Sequence, residues 1–191
     1  MNILIAVPAM DYMPTLTVNS LLALRQCHPA RVSFVIHAQI QDARNMLAYE
    51  AIDSGADRVL WIDSDQTFKP DLMERLSADL DEGYDMVTGL YFTRDFNMHP
   101  VIWKEVDGKP VRYADYPKDQ LFPICACGFG AAMCTTELLK RAGEKPFSLL
   151  PGMSEDISFC ARVHGARIAC DSRVKVGHIG LVDFGEHMRG R

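Results

Sequence analysis

Two carboxylates, two residues apart, follow an apolar segment in the first half of the chain. The segment Val59–Ile62 leads directly into Asp63, Ser64 and Asp65. The apolar run predicts a buried strand, and ligands of open α/β sheets bind at the carboxyl ends of such strands. Alternation along an extended segment would place both carboxylates on one side, where they could share Mg²⁺ or Mn²⁺ and, through it, a diphosphate. Two solvated turn carboxylates, with Asp65 capping the turn before Pro70, explain the same pattern.

A second acidic pair lies at a predicted helix start late in the chain. Ser154 has the side chain of an N-cap residue, and Glu155 and Asp156 would occupy the first helical turn. Helix capping and the helix dipole are sufficient to explain these residue types. The functional alternative is that Asp156 acts as a general base and accepts the proton of an acceptor hydroxyl.

A histidine near the end of the chain lies between two glycines, in the segment Gly177–Gly180. The glycines would let the backbone turn sharply while the imidazole of His178 reaches a shared site. A histidine with a purely structural role is the alternative. A second glycine-rich segment predicts either close approach of the backbone to a ligand or a simple bulge. It consists of Gly128, Phe129 and Gly130.

Phosphate recognition has one further candidate at the start of a predicted helix. The segment Asp42–Asn45 could place Arg44 at a helix N-terminus facing a phosphate or a base, or it could be a capped, solvated first turn. The chain has no GxxxxGK[ST] pattern, and no GxGxxG follows its first strand. P-loop and Rossmann dinucleotide sites are therefore not predicted.

Alternating strand and helix patterns in the first half must position these residues. Apolar and β-rich runs predict strands at Asn2–Val7, Arg31–His37, Arg58–Ile62 and Asp85–Val87. Helical spacing and capping residues predict helices at Thr15–Gln26, from Asp42 as N-cap through Ser54 with Gly55 as the stop, and from Pro70 to near Gly83. This order predicts an α/β fold with a mainly parallel central sheet and helices on both of its faces.

The second half of the chain has a different pattern. A hairpin is predicted at Asp107–Pro110, between Val101–Val106 and Val111–Tyr113, and it indicates a small antiparallel sheet. Further elements are helices at Thr136–Ala142 and from the Ser154 cap to Val163, and short strands at Arg167–Cys170 and Val174–Val176. Because neither a repeat nor a linker separates the halves, a single domain over residues 1–191 is predicted.

Composition narrows the class of protein. The 191 residues carry a formal net charge of -5, which argues against an electrostatic grip on nucleic acid. Six cysteines include no CxxC pair, so we expect reduced, mostly buried thiols rather than a zinc site. No apolar run approaches a membrane-spanning length, and Met1–Pro8 is typical of a strand rather than a signal peptide. A cytoplasmic location is therefore expected.

The order of the motifs resembles the GT-A glycosyltransferases, particularly family 2-like and phage-associated members. The resemblance covers nearly the whole chain. It is carried by Val7-Pro8-Ala9, Ala43-Arg44-Asn45, Leu60–Phe68, Thr88–Arg94, Cys127–Gly130, Ser154–Asp156 and His178–Gly180.

The resemblance implies a metal-dependent hexosyltransferase, leaning towards inversion, that moves a sugar from a nucleotide-diphosphate sugar to a saccharide or other hydroxyl acceptor. Asp63, Asp65 and His178 would hold Mn²⁺ or Mg²⁺. Asp156 would be the base, and Glu155 would orient the acceptor or the helix start. The implied nucleotide-sugar site consists of Pro8, Ala9, Arg44, Asp63, Ser64 and Asp65, and the implied acceptor side of Gly128, Phe129 and Gly130.

Two departures and two rival functions accompany this resemblance. Val7–Met10 lacks the family's Pro-x-Tyr-Asn opening, and His37–Gln41 lacks the acidic segment that often binds uracil. The identity of the nucleotide base therefore stays open. A nucleotidyltransferase should carry a basic, glycine-rich loop after the first strand, and Pro8–Pro14 is neither. A sugar-nucleotide-binding module without turnover is the other rival, and the presence of Asp156 disfavours it.

Overall fold

The computed structural model describes residues 1–95 and 97–180. These residues contain seventeen helices and strands, which are joined by turns and loops. The first half contains β1 (Ile3–Ala9), α1 (Thr15–Ala23), β2 (Ala30–Ile36), α2 (Ile40–Asp53), β3 (Arg58–Ile62), β4 (Gln66–Thr67), α3 (Leu72–Asp81) and β5 (Met86–Leu90). The second half contains β6 (Ile102–Val106), β7 (Lys109–Arg112), β8 (Leu121–Ile124), β9 (Ala126–Cys127), β10 (Ala131–Thr135), α4 (Thr136–Arg141), α5 (Glu155–Arg162), β11 (Ile168–Lys175) and β12 (Gly177–His178). The predicted domain span also includes Phe96 and residues 181–191, which lie outside the described residues.

The central sheet has seven strands in the order β2-β1-β3-β10-β5-β11-β8. Five of them, β2, β1, β3, β5 and β11, run in the same direction, whereas β10 and β8 run against it. The predicted mainly parallel sheet is therefore confirmed, with β3 in its interior. The sequence did not predict that β10 inserts between β3 and β5, because its short run of small apolar residues follows a glycine-rich bend.

Helices cover both faces of the sheet, as predicted. Successive side chains of a strand point to opposite faces, so Ile3 and Ile5 of β1 join one buried cluster and Leu4 and Ala6 join the other. The first cluster includes apolar residues of α3, and the second includes those of α2, α4 and α5. The large buried ring of Trp61, from β3, belongs to the second cluster.

Several helix and strand boundaries differ from the predicted ones. Helix α2 begins at Ile40 with Gln39 as its N-cap, so the prediction that Asp42 is the cap was wrong. The hydrogen bond from Ala43 N to Gln39 O starts the helix earlier and leaves Asp42 in the first turn, where the helix dipole still favours a carboxylate. The two short strands predicted around Arg167–Val176 are one irregular strand, β11.

The predicted hairpin and small antiparallel sheet are present. Strands β7, β6 and β9 pair in that order, and Val106 lies opposite Lys109 across the turn. The two turn residues, Asp107 and Gly108, have φ values of 50° and 71°, as a two-residue hairpin turn of positive φ requires. This sheet lies beside the central one through β9, which directly precedes the Gly128–Gly130 segment.

Cysteine placement and membrane propensity complete the description. All six cysteines are free, and Cys127, Cys134, Cys160 and Cys170 are buried. Within the described residues, no helix combines the length and the apolar character that crossing a membrane demands.

Two buried carboxylates meet where α3 packs on β11. Asp79 and Asp171 are almost fully buried and share Arg173, whose Nε lies 2.8 Å from Asp171 Oδ1 and whose Nη2 lies 3.4 Å from Asp79 Oδ1. Burial, together with the neighbouring Asp171 charge, raises the pKa of Asp79 to about 7. Ionisation of Asp79 is therefore easier in the unfolded chain, where an aspartate has a pKa of about 4.

We predict that Asp79 makes the protein lose stability as the pH rises towards 7. Asp79→Asn removes this loss, so the free energy of unfolding of the variant, minus that of the parent, should increase by at least about 1 kcal/mol between pH 5 and pH 8. Urea unfolding at both pH values measures it. Asp53→Asn, at an exposed carboxylate near the end of α2, is the control. A difference that does not change with pH would contradict the assignment.

Candidate functional site

A pocket of about 450 Å³ lies at the carboxyl ends of β1, β2 and β3. This is the edge at which open α/β sheets bind their ligands. Its walls combine residues at or just beyond the ends of these three strands with two from later in the chain, Arg94 after β5 and His178 in β12. The lining residues are Pro8, Ala9, Met10, Ala38, Gln39, Ile40, Ala43, Asp63, Ser64, Asp65, Arg94 and His178.

The two aspartates of the Asp-Ser-Asp motif lie in a turn rather than in a strand. Strand β3 ends at Ile62, and a hydrogen bond of 3.2 Å from Gln66 N to Asp63 O closes the turn. Asp63 N donates to the carbonyl of Gly130, the residue before β10, at 3.0 Å. The alternation argument from the sequence therefore does not apply, and the two carboxylates contact different partners.

Asp63 is held by a buried arginine that also holds Glu155. In Arg44, Nη2 lies 2.9 Å from Asp63 Oδ1 and Nη1 lies 2.9 Å from Glu155 Oε1. The Arg44 side chain is 4% exposed, and its guanidinium lies 5.2 Å from the centre of the Phe129 ring. A carboxylate at the end of β3 and another at the start of α5 are thus joined through a single cation.

Burial and charge act against each other in this trio. Burial disfavours the charged guanidinium, but Asp63 and Glu155 outweigh it and raise the pKa of Arg44. Burial also raises the pKa of Glu155, against the opposing effect of Arg44. The sequence implied that Arg44 binds nucleotide. In the structure its guanidinium is buried between two carboxylates and links the two halves of the site, so direct binding of nucleotide stays a prediction.

Asp65 and His178 meet on the opposite side of the motif. Strands β4 and β12 pair so that Gln66 lies opposite His178, and Ile179 N donates to Asp65 O at 2.8 Å. His178 Nε2 lies 3.5 Å from Asp65 Oδ1. Burial opposes the charge on His178, but its hydrogen bond with Asp65 outweighs that effect and raises its pKa. Burial likewise opposes the charge on Asp65, yet His178 and Arg94 lower its pKa.

Gly177 permits this pairing through its small size rather than through a turn. Neither Gly177 nor Gly180 has a positive φ, so the predicted sharp turn is wrong. A Cβ on Gly177 would overlap with Oγ1 of Thr67, its partner across β4 and β12. Only glycine lets the two strands approach closely enough to bring His178 to Asp65.

The predicted set of three metal ligands is not assembled. Within the described part of the chain, no group of three or more His, Cys, Asp or Glu residues could hold an ion, and Asp63, one of the three predicted ligands, is paired with Arg44 instead. Asp65 and His178 could nevertheless supply two ligands to a divalent cation, because Asp65 Oδ1 and His178 Nε2 face each other at 3.5 Å. His178 Nδ1 lies 2.8 Å from Phe92 O, which can only accept, so Nδ1 carries an N–H and Nε2 could offer its lone pair to a metal once it gives up its proton. Mg²⁺ and similar ions take their remaining ligands from phosphates and water.

The predicted base lies at the N-terminus of α5, one residue beyond Glu155. Asp156 is partly exposed, and its Oδ1 accepts hydrogen bonds from Ile157 N at 2.7 Å and from the Ser154 hydroxyl. Ser154 is the N-cap residue, as predicted, but its hydroxyl bonds this carboxylate rather than a backbone N–H. The carboxylate is therefore fixed in orientation while still reachable from solvent.

The segment implied to line the acceptor side is instead buried. Phe129 is 1% exposed, and its ring centre lies 5.6 Å from that of Trp61 and 4.9 Å from that of Phe147. A Cβ on Gly128 would overlap with the Tyr91 hydroxyl, and one on Gly130 would lie 2.9 Å from Gln66 Nε2. The structure shows that close packing requires the glycines, and the place of Gly128, Phe129 and Gly130 on the acceptor side stays a prediction.

Sequence reasoning missed one charged residue of the pocket, Arg94. It belongs to a segment that carried the family resemblance, yet no role was assigned to it. Its Nη1 lies 2.6 Å from Asp65 Oδ2. The available signal was its position: a basic residue four positions after a buried strand, β5, that runs parallel to β3.

Comparison with solved structures identifies the fold. A197 from STIV superposes with a TM-score of 0.73 at 17% identity, covering 95% of this chain and 87% of that chain. GalNAc-T7, solved with UDP, GalNAc and Mn²⁺, gives 0.63 at 10% identity, with coverages of 95% and 44%. S. aureus TarS 1-349 in complex with UDP-GlcNAc gives 0.61 at 17% identity, with coverages of 100% and 61%. No protein-family model matches the chain, and neither does a curated protein.

These three neighbours are GT-A-like glycosyltransferases, so the chain has the GT-A fold, as the motifs implied. It spans most of A197 but less than half of GalNAc-T7 and about three fifths of TarS. At these low identities the likeness establishes the fold and nothing finer.

We predict that Arg44 is a main source of stability within the site. Arg44→Met would leave Asp63 and Glu155 without their cation, and breaking a buried ion pair costs about 3–5 kcal/mol. Arg31→Met is the matched control, because Arg31 forms an exposed pair with Glu50, a class worth about 1 kcal/mol or less. Urea unfolding compares the two variants. Equal losses in both would show that burial of the Arg44 trio contributes nothing.

Proposed function

We propose that this protein is a glycosyltransferase that binds a nucleotide-diphosphate sugar in the pocket and transfers the sugar to a hydroxyl acceptor beside Asp156. One observation carries the proposal. Arg44 joins Asp63, in the pocket motif, to Glu155, whose neighbour Asp156 is an accessible carboxylate. Through this contact a donor site and a candidate base would be held in a fixed relation to each other, on a fold that glycosyltransferases use.

The pocket has the size and the chemistry that a nucleotide-sugar needs. Its volume of about 450 Å³ is within the usual range for small-molecule sites. Pro8, Ala9 and Ser64 line it beside Asp63, whose side chain is 27% exposed although Arg44 holds it. Asp63 can therefore accept a hydrogen bond from a donor hydroxyl without leaving Arg44. The neighbour structures with UDP or UDP-GlcNAc support this ligand class.

Asp65 and His178 would hold the divalent cation, Mn²⁺ or Mg²⁺. The cation would neutralise the negative charge that develops on the departing diphosphate. The protein supplies orientation: Phe92 O holds Nδ1 of His178, and the pairing of β4 with β12 keeps the imidazole at Asp65. The presence of Mn²⁺ in the GalNAc-T7 structure supports a metal in this fold.

Asp156 would accept the proton of the acceptor hydroxyl as that oxygen attacks the sugar. A single base on the acceptor side fits direct displacement, which inverts the configuration at the reacting carbon. Glu155 would not touch the acceptor, because its carboxylate is 13% exposed and faces Arg44. Of its two implied roles, orienting the helix start is the one that the contacts favour.

Ligand-dependent stabilisation tests the proposed donor class. The melting temperature should rise with UDP-GlcNAc, UDP-GalNAc or related nucleotide-sugars in the presence of Mn²⁺, because a ligand that binds only the folded state stabilises by about 2.7 kcal/mol at a hundredfold excess over Kd. Omitting Mn²⁺ should weaken the shift. A panel of nucleotide-sugars with four different bases that shifts nothing, with or without Mn²⁺, would refute the proposal.

We predict that Asp156→Asn removes turnover and spares donor binding. A general base contributes about 10²- to 10⁴-fold, so release of nucleoside diphosphate should fall by that factor. The melting shift with donor and Mn²⁺ should persist, because Asp156 is not among the residues that line the pocket.

Glu137→Gln is the control for this variant, since Glu137 occupies the first turn of α4 and is exposed. It loses a similar interaction with a helix dipole and should keep full turnover. If Asp156→Asn keeps turnover but lowers the melting temperature, Asp156 is only a helix-start residue. If the parent binds donor tightly but releases no diphosphate, the protein is a binding module.

A further inference from the structure

Arg94 lines the pocket and forms an ion pair with Asp65 through a long side chain that is half exposed. Its Nη1 donates to Oδ2 of Asp65 at 2.6 Å, while Oδ1 of the same carboxylate faces His178 Nε2 at 3.5 Å. The Arg94 side chain is 50% exposed, and Asp65 is 22% exposed. Asp65 thus presents one oxygen to each of two cationic or potentially cationic partners.

This contact conflicts with the proposed metal site. A divalent cation held by Asp65 and His178 would lie within a few ångströms of the Arg94 guanidinium. The two positive charges would then share the Asp65 carboxylate and repel each other. The other acidic residue of the pocket, Asp63, is already held by Arg44. Arg94 therefore needs a different anion whenever Asp65 serves a metal, and no described pocket residue provides one.

The donor brings that anion. A diphosphate presents oxygens that match the planar fork of an arginine, and charge-assisted contacts of this kind are strong. Arg94 already lines the pocket, and its stem packs beside Gly180 with Cβ 3.7 Å from the position of a Cβ there. A half-exposed guanidinium can rotate within the pocket without breaking any buried packing.

We propose that Arg94 is an exchanging counter-ion: it neutralises Asp65 when the pocket holds no donor and contacts the donor diphosphate when Asp65 and His178 hold a divalent cation. This inference rests on the proposed function. The exchange makes the binding of metal and donor cooperative. Metal alone leaves Arg94 without an anion, and donor alone leaves Asp65 without a cation. When both bind, Arg94 pairs with the diphosphate and Asp65 with the metal. Arg94 would thereby favour entry of the metal with the nucleotide over entry of either one.

The exchange predicts changes of opposite sign in Arg94→Gln, with UDP as the probe. Without nucleotide, Mn²⁺ no longer competes with Arg94 for Asp65, so it should bind roughly threefold to tenfold more tightly. With saturating Mn²⁺, UDP loses a charge-assisted contact and should bind roughly tenfold to a hundredfold more weakly. Electron paramagnetic resonance of free Mn²⁺ measures the first affinity, and isothermal titration calorimetry measures the second.

Two controls make the result decisive. Arg31→Gln removes an exposed arginine paired with Glu50 outside the pocket and should change neither affinity. Thermal melting without ligand should show that Arg94→Gln is folded, because a half-exposed ion pair contributes little to stability. Loss of both affinities, or no change in either, would overturn the exchange while leaving the proposed function intact. A parent protein that binds neither UDP nor Mn²⁺ would instead overturn the proposed function and the exchange with it.

Discussion

The site depends on one buried charge, the guanidinium of Arg44. A cation with 4% exposure is costly unless anions meet it, and the fold supplies Asp63 from the end of β3 and Glu155 from the start of α5. The guanidinium lies over the aromatic rings of Phe129 and Phe147. Because one planar group forms ion pairs with both carboxylates, the position of the pocket motif is linked to the position of the candidate base.

The two aspartates of the motif pair with arginines of very different exposure, Arg44 at 4% and Arg94 at 50%. The guanidinium of Arg44 is enclosed at 4% exposure, so the geometry of its pairs with Asp63 and Glu155 is set by packing and any change in it is costly. Arg94 is 50% exposed, so solvent screens its ion pair with Asp65 and this partner can be exchanged at small cost. A transferase needs both properties: a fixed relation between donor and base, and a changeable charge balance around the leaving diphosphate.

Sequence patterns predicted the strands and the order of the motifs because those features are local. The apolar runs before Pro8 and before Asp63 are long enough to require burial in a sheet, and the structure confirms both strands. The partners of the charged side chains could not be predicted in this way. Nothing near Arg44 in the sequence shows that its side chain is buried, since burial comes from Phe129 and Phe147, far along the chain. The same holds for Gly128, whose need for a small side chain comes from Tyr91 across the sheet.

A double-mutant cycle between Asp63→Asn and Glu155→Gln tests most directly whether Arg44 joins the two halves of the site. Both carboxylates contact the same guanidinium, so removing one charge should change the cost of removing the other. Free energies of unfolding in urea for the parent, the two single variants and the double variant give the interaction energy, which we predict to be about 0.5–3 kcal/mol in magnitude. Costs that add to within about 0.3 kcal/mol would show that the two carboxylates act independently, and would contradict the account.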